Sequence, residues 1–500
     1  MADYLKKRPM LLCAAVSAVL CIVGFYCPPA VFFCGIALII LFFVSLYLRR
    51  PAETVVAFIL AVTTAGILLT SSRAAELSGL DGSAAKGEFT VVSEPEKHGT
   101  ADTVELEATS CDTLKRGTKL ICTDYSLTPL EYGNRIQATV SLSQLSLGTQ
   151  KRSYYSEGIF LRGKLRDIRV EKGNDDPVLQ KIRNVRSYIK NTLFSAMSRD
   201  EAATLTAVTI GDRSYFTDEF YANVKKAGVS HVMVVSGMHL SVIVGLTAVA
   251  VKKYFYNKYL RALTMLATVL FMAAVCGFTK SILRAGFCSL FLAVSILSER
   301  DNTTENSLGG AAALLFMISP FTVFSVSFQL SFLSTLGIVS VAMPCLKFIK
   351  DNGLLKTNLV FTLFSAVLVT LAATLFTLPI SIYTFGYVSN VSVFTNLLID
   401  VAAGIALQIS AVALALNLIF PYLTRLLFIA AEFTAAYINR FGSLPFAVSD
   451  IGTPEFYASL LIIISVIAAL FAFKRRLDRL KLNEMYRKIS SERGRKFRWQ

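Results

Sequence analysis

Histidine is scarce in this chain: three residues in 500. His98, His231 and His239 are the whole supply, and no His-rich or Cys-x-x-Cys cluster accompanies them. A metal site of ordinary ligand spacing is therefore not expected. A Walker-type Gly-rich loop is missing, so transport driven by an ATPase of this chain's own is not expected. There is no Gly-x-Ser-x-Gly elbow, which leaves Ser236-x-x-His239 as weak support for nucleophilic catalysis. The chain reads as a non-enzyme that needs no cofactor. Acidic residues are also short, 34 against 50 Lys and Arg, for a net charge of +16. Half of that excess belongs to the tail Lys474–Gln500, with eleven basic and three acidic residues. A basic tail after a last span is what cytoplasmic placement predicts, with anionic lipid as a further partner.

Apolar residues are plentiful, at 54% of the chain with mean hydropathy +0.57. Runs such as MLLCAAVSAVLCIVGFY and YASLLIIISVIAALFAF approach the ~20 residues that a helix needs to cross a bilayer. We read a polytopic α-helical membrane protein of about eleven to twelve spans. They are expected near 10–26, 30–48, 53–70, 229–251, 260–278, 281–298, 307–319, 323–343, 358–379, 391–420, 422–440 and 455–473. Ser319-Pro320 splits 307–343 into two spans or a re-entrant hairpin. Met1–Tyr26 is read as a retained span, because no small-residue cleavage site follows it. Basic clusters at 6–8, 49–50, 252–253, Lys347/Lys350/Lys356 and the tail place both termini in the cytoplasm.

The expected domains are three N-terminal spans (1–72), an extracytoplasmic β domain (73–176), an amphipathic helix and connector (177–228), a helical bundle (229–473) and the tail (474–500). In the second of these, GEFTVVSE, TVELEATSC, TKLICTDYSL, NRIQATVSL, GIFLRGKL and DIRVEK read as short strands. Sandwich and small barrel both fit this pattern. Seven of nine cysteines sit in or beside apolar runs. Cys111 and Cys122 flank a hairpin with its turn at Arg116-Gly117, which makes them cross-strand partners and predicts a disulfide outside the cell. Charge is polarised: Glu76–Glu131 has five basic and eleven acidic residues, Tyr132–Lys172 eight basic and three acidic. The second half suits a basic face toward a phosphate backbone, or a mixed solvated surface. In PVLQKIRNVRSYIKNTLFSAM, the spacing of Val178, Ile182, Val185, Ile189 and Leu193 predicts an amphipathic helix on the membrane or on the bundle.

Polar groups recur within the apolar body. On a helix through GVSHVMVVSGMHLSVIVG, His231 and His239 would lie about 80° apart, with Ser236 beside His239 and Gly237 allowing close approach. Lys280 and Arg284 share a face at i, i+4, as do Asn396 and Asp400. Gln329 and Ser331 interrupt FSVSFQLSFLSTLG. Such groups either satisfy one another between helices or line a polar path.

At these residues the sequence resembles the ComEC competence family. GVSHVMVVSGMHLSVIVGL is similar to its G-x-x-H-x-x-x-x-S-G-x-H signature. Four pieces follow the family's pattern in company with it: Gly211-Asp212-Arg213 in AVTIGDRSYFTDEF, Arg284 in GFTKSILRAGF, Pro320 with Gln329 and Ser331 in ISPFTVFSVSFQLSFLSTLGI, and Pro379, Gly386 and Asn396 in TLPISIYTFGYVSNVSVFTNLL. The resemblance implies the membrane step of DNA uptake in natural transformation. One DNA strand would cross through the bundle, received outside by an OB-like domain and pulled in by a cytoplasmic motor, with an outside DNA receptor and possible homo-oligomerisation as further implied partners. His231, Ser236, Gly237, His239, Lys280, Arg284, Gln329, Ser331 and Asn396 would line or brace the path. OB-folds hold single strands with basic grooves and stacking aromatics, here Lys151, Arg152, Tyr154, Tyr155, Phe160, Arg162 and Arg166. The chain departs from many relatives in lacking a His-x-His-x-Asp-His nuclease cluster, and in reading Asn396-Leu-Leu-Ile-Asp where a Pro often follows. A channel for another solute and a structural protein with a partner-binding domain are the competing readings.

Overall fold

The computed structural model describes residues 9–49, 51–93, 95–98, 101–126, 128, 130, 132–145, 149–171, 177–233, 237–254, 257–277, 282–290, 304–353, 357–416 and 425–450. Ser236, Lys280, the expected span 455–473 and the basic tail lie outside them.

Prolines set the first helix boundaries. Pro28 and Pro51 stand at helix starts, where a missing N–H costs nothing, so Pro9–Tyr26, Pro28–Tyr47 and Pro51–Ser78 form three separate helices. They pack through small residues: an added Cβ on Gly24 would strike Ile67, and one on Gly35 would meet Thr64 at 2.9 Å. Small residues at crossings are how helices approach closely in lipid. The third helix is longer than the expected 53–70. Its 28 residues extend about 42 Å at 1.5 Å each, more than a bilayer's hydrocarbon. The excess runs into the β domain, where Ala74 and Leu77 join the core of Phe89, Leu106, Leu120, Ile136 and Leu161.

That domain has six strands: β1 Ala84–Val91, β2 Glu96–His98, β3 Ala101–Cys111, β4 Lys119–Asp124, β5 Arg135–Gln144 and β6 Ile159–Glu171. Their order is β1-β5-β6-β4-β3-β2, and β1 also pairs with β3. Five strands thus form a continuous cycle of hydrogen-bonded neighbours, antiparallel except for β4 with β6. Glycine permits the tight approaches: Gly87 lies against the backbone of Ser110 and Cys111, and Gly163 against Val140 and the Cys122 thiol.

The expected disulfide is corrected here. Cys111 and Cys122 are both free. Cys122 faces Val104, and Cys111 faces Gly87 on β1. The tight turn is at Lys115–Thr118, with the Thr118 N–H donating to Lys115 O (3.1 Å) and Gly117 at φ 81°. Hairpin pairing, however, ends where Ala108 N–H donates to Thr118 O (2.9 Å). Residues 109–111 leave β4 to close the cycle onto β1, which separates the two thiols.

The amphipathic helix Pro177–Ala196 lies on the bundle, with Leu193 buried against Ala202, Leu205, Ala406 and Ala431. A capping box, Ser198 with Glu201 returning to the Ser198 N–H at 2.9 Å, starts Arg199–Ile210. That helix is buried from Ala202 onward, and its threonines fold inward to carbonyls one turn back, as Thr206 to Ala202 O (2.6 Å) and Thr209 to Leu205 O (2.7 Å). Asp218–Lys226 begins with acidic and ends with basic residues, matching its dipole.

The expected span at 229–251 is displaced. Residues 229–233 form turns in which Val229, Val232 and Met233 pack on Phe220, Val224 and Ile399. The helix starts at Gly237 and ends at Tyr254. His231 and His239 are therefore not on one helix. Beyond it come Lys258–Cys276, a helical stretch at 282–290, Thr304–Ile318, the 3-10 turn Pro320–Phe324 and the long helical run Val326–Asp351. The run widens to π geometry at Ile338–Ala342, directly before Pro344, which has no N–H to give the preceding turn. Asn358–Phe385, Ser392–Leu416 and Arg425–Gly442 complete the described helices, and β7 Tyr387–Ser389 pairs with β8 Val448–Asp450. Among the described residues, six helices are long and apolar enough to span a bilayer. The chain is a polytopic helical membrane protein.

Candidate functional site

The bundle buries polar side chains where a lipid-facing helix would expose apolar ones. Arg284, on the stretch 282–290, is buried; its Nη1 donates to Thr335 Oγ1 at 3.4 Å, and Thr335 Oγ1 donates to Ser331 O at 2.8 Å. A buried arginine is thus tied to the Gln329/Ser331 block through a residue that the sequence reading passed over. Its signal was the i+4 spacing of Thr335 from Ser331. Gln329 Nε2 donates to Val323 O at 2.7 Å, fastening the 3-10 turn to the following helix. Arg284 Nε and Asn396 Oδ1 are both left without a hydrogen-bond partner among the described residues. Buried groups of this kind call for water, an ion or a ligand. His239 is fully buried in the first turn of Gly237–Tyr254, whereas His231 is exposed in the preceding turns. Gly228, at φ 74°, lets those turns close on Ser389 and Ser392, and Thr395 Oγ1 donates to Ala227 O at 2.7 Å.

A second polar centre sits at the connector. Gly211 ends Arg199–Ile210 in the left-handed region, φ 78°. Asp212 follows, buried, accepting from the Ser214 N–H (2.9 Å) and hydroxyl (2.7 Å) and paired with Lys190 at 2.7 Å. Burial alone would raise its pKa; the Lys190 charge and these hydrogen bonds outweigh burial and hold it below the usual carboxylate value. Arg213, its neighbour, is half-buried. One turn before Lys190, the buried Arg186 donates from Nη1 to Val275 O at 2.6 Å and Ile210 O at 3.4 Å. Both carbonyls are in the last turns of helices, where acceptors lack intrahelical donors and the dipole favours a cation. Arg186 also lies 5.4 Å from the Tyr132 ring of the β domain. The sequence pattern placed it only within the amphipathic stretch PVLQKIRNVRSYIKNTLFSAM and gave no sign of this role.

The residues named for contacts outside divide into two groups. The short helix Thr149–Ser156 packs on the 3-10 turn, with Ser319 Oγ donating to Ser156 O at 3.3 Å. Tyr155 is edge-on to Phe160 (4.9 Å) and Phe25 (5.8 Å) and lies 6.3 Å from Phe321. Burial raises its hydroxyl pKa. Phe160 is buried, and Tyr154 packs on Ile121, Leu145 and Ile159. Lys151 stands over the Tyr155 ring at 5.3 Å and Arg152 over Tyr26 at 5.6 Å. Tyr155 and Arg152 thus join the β domain to the membrane helices, Lys151 covers the Tyr155 ring, and Tyr154 and Phe160 pack within the domain. Arg162 and Arg166 are elsewhere, exposed on β6. The described residues contain no group of three or more His, Cys, Asp or Glu able to hold a metal ion.

Comparison with known proteins agrees with the motifs. Residues 208–476, more than half the chain, match the family model described as "Competence protein". The chain is similar to ComE operon protein 3 of Bacillus subtilis (strain 168), with 28% identity over 221 residues, covering 44% of this chain and 27% of that protein. It thus matches little more than a quarter of that relative's length. No solved structure matches. The family region begins at Val208, next to the Gly211-Asp212-Arg213 turn, and takes in Arg284, Thr335 and Asn396, so the buried polar groups of the bundle fall within it. This chain belongs to the competence protein family, the ComEC family whose signature residues it carries.

Proposed function

We propose that the protein passes single-stranded DNA across the cytoplasmic membrane during natural transformation. The observation that carries this reading is Arg284: a buried guanidinium within the family region, bonded only weakly to Thr335 and unsatisfied at Nε among the described residues. A buried cation is costly without a counter-charge or water. A phosphate backbone moving past it supplies that charge transiently. Gln329, Ser331, His239 and Asn396 brace or line this route; Thr335 holds Arg284 in place.

The β domain supports the reading by its topology. We propose that its five-strand cycle, with one parallel pair, is an OB-like barrel outside the cell that receives the strand. Both termini are then cytoplasmic, and a separate motor and an outside receptor complete the pathway. We assign the chain no catalytic step.

The test separates transport from binding. Deletion should leave DNA on the cell surface while abolishing transformation. Arg284→Ala, at normal expression, should lower transformation by at least tenfold, with Arg284→Lys less impaired. Unchanged uptake in Arg284→Ala would remove this residue from the path, and normal transformation after deletion would end the reading.

A further inference from the structure

We infer that the outer face of β5 and β6 is a phosphate-binding track that holds single-stranded nucleic acid by its backbone, without base stacking. This rests on the DNA reading above and identifies the surface that meets the strand first.

Four cations define the track. Arg162, Lys164, Arg166 and Arg169 are all exposed on β6. Across the pairing they face Ser143, Ser141, Thr139 and Gln137 of β5. Lys86 of β1 is exposed beside Thr139 and extends the face by one more strand. The partner strand therefore offers hydroxyl and amide groups at each cation, and these serve phosphate oxygens. Lys164, Arg166 and Arg169 make no ion pair among the described residues, and Arg162 has only a 3.4 Å contact to Thr123 Oγ1. Side chains two apart on a strand repeat every ~6.6 Å, a spacing that an extended sugar-phosphate chain follows easily. Two acids share this region: Glu88 of β1 is in register with Gln137, and Asp167 stands between Arg166 and Arg169, so the four cations outnumber them along β6.

The backbone itself is arranged for this row. In a regular strand Arg166 and Arg169, three apart, point to opposite sides. Here the β5–β6 register shifts by one residue between Gln137 and Thr139, with Gln137 facing Arg169 and Thr139 facing Arg166. Asp167 takes the extra position at φ 52°, one of two non-glycine residues with positive φ among those described. The bulge returns Arg169 to the exposed side and turns Ile168 toward the core. Bulges of this kind re-aim side chains at functional surfaces, and a non-glycine residue in the left-handed region marks a conformation that the surroundings enforce.

Two observations favour nucleic acid over lipid. No large apolar side chain interrupts the outer face of β5 or of β6 through Arg169, so it has nothing to insert into a bilayer. The aromatic rings named for stacking are packed away, Tyr155 against Phe25 and Phe321 of the membrane helices and Tyr154 and Phe160 within the β domain, while the exposed Tyr125 lies past the end of β4, off β5 and β6. Recognition through phosphates alone is insensitive to sequence and steeply dependent on salt.

The test uses the full chain in detergent or nanodiscs with a fluorescent oligo-dT, an abasic deoxyribose-phosphate oligomer of equal length, and phosphatidylglycerol vesicles. The wild type should bind both oligomers with similar affinity. The variant Arg162→Gln/Lys164→Gln/Arg166→Gln/Arg169→Gln should bind at least tenfold more weakly, and its slope of log affinity against log salt should fall by about 3, at ~0.7 for each phosphate that is no longer neutralised. If that variant does not fold, Lys164→Gln and Arg166→Gln singly should each lower the slope by ~0.7. Wild-type affinity and slope in these variants would overturn the track while leaving DNA transport intact. Strong preference for oligo-dT over the abasic chain would overturn the backbone-only claim. Vesicle binding that disappears in the variant, with no oligomer binding by the wild type, would assign the face to lipid and would count against DNA as its ligand.

Discussion

In the β domain, Phe89, Leu106, Leu120 and Ile136 lie inside and Arg162, Lys164, Arg166 and Arg169 outside. In the helical regions the arrangement is reversed: Phe33, Leu69 and Val249 are 71%, 70% and 73% exposed, while His239, Arg284, Thr395 and Asn396 are buried. The two halves were shaped by different solvents. Water rewards burial of the apolar side chain. Lipid removes that reward, so a bundle holds together by close backbone approach and by polar groups that have partners only inside it. The same residue type thus changes meaning with location. An arginine on β6 is a surface charge, whereas Arg284 and Arg186 are interior charges whose neighbours must account for them.

Breaking a close approach in the bundle should have the largest effect. A Cβ on Gly309 would meet the backbone of Met10 and Leu11, and one on Gly337 the Ala372 carbonyl at 2.5 Å. Gly309→Val should cost more than ~3 kcal/mol, beyond ordinary overpacking because backbone must move; the check is loss of the monodisperse peak in detergent. Gly82 meets nothing within 4 Å and is the control for crowding, although its φ of 78° penalises any side chain.

Next comes the joint between the two regions. Arg186→Met should cost roughly 2–4 kcal/mol, because two helix-end carbonyls lose a charged donor in a buried site. Faster proteolysis between the β domain and the bundle would report it, with Arg186→Lys retaining part of the effect. Asp212→Asn should cost roughly 1–3 kcal/mol, since Lys190 then lacks its partner. The sign of its pH dependence follows from the lowered pKa: the stabilisation is fully present above the ordinary carboxylate value near ~3.9 and is lost as pH falls through the lower folded value. Thermal melts of the wild type should weaken in that acid range, and those of Asp212→Asn should weaken less.

Within the β domain the effects are smaller. Asp167→Gly should be neutral or stabilise by up to ~1 kcal/mol, because glycine adopts the positive φ without strain. A marked loss of stability would mean that the Asp167 side chain, not the bulge, holds the strand. Reductant should leave the melting temperature unchanged. Cys111, whose thiol is pushed up to about 11 by burial with help from Asp112 and Glu88, should alkylate slowly at neutral pH without reductant. Cys122, buried and shifted further, should react only on unfolding.

The sequence was most legible where one local signal decides. Apolar runs near 10–26 and 30–48 located the helices Pro9–Tyr26 and Pro28–Tyr47 to within two residues, and short apolar-polar segments between turn residues located the strands of the β domain. It was least legible in GVSHVMVVSG. There the apolar run suggested a span, yet Val229, Val232 and Met233 are buried against other protein segments in turns, and only from Gly237 does a helix continue. Hydropathy reports that a side chain leaves water, without distinguishing lipid from a neighbouring helix. The hairpin at Arg116-Gly117 was misread for a similar reason. Turn chemistry located the turn but not where β3 leaves β4.

Composition and hydropathy by themselves determined a polytopic helical membrane protein, because transfer of apolar side chains depends on the residues alone, and short strand patterns marked its β insert. The ordered motifs from Gly211 to Asn396 determined its family. The tertiary structure decided the closure of β1 onto β3, the separation of Cys111 from Cys122, the bulge that sets Arg169 beside Arg166, and the contact of Arg186 with two helix ends. Each of these brings together segments distant in the chain, and their energies come from backbone register and packing that no local pattern encodes.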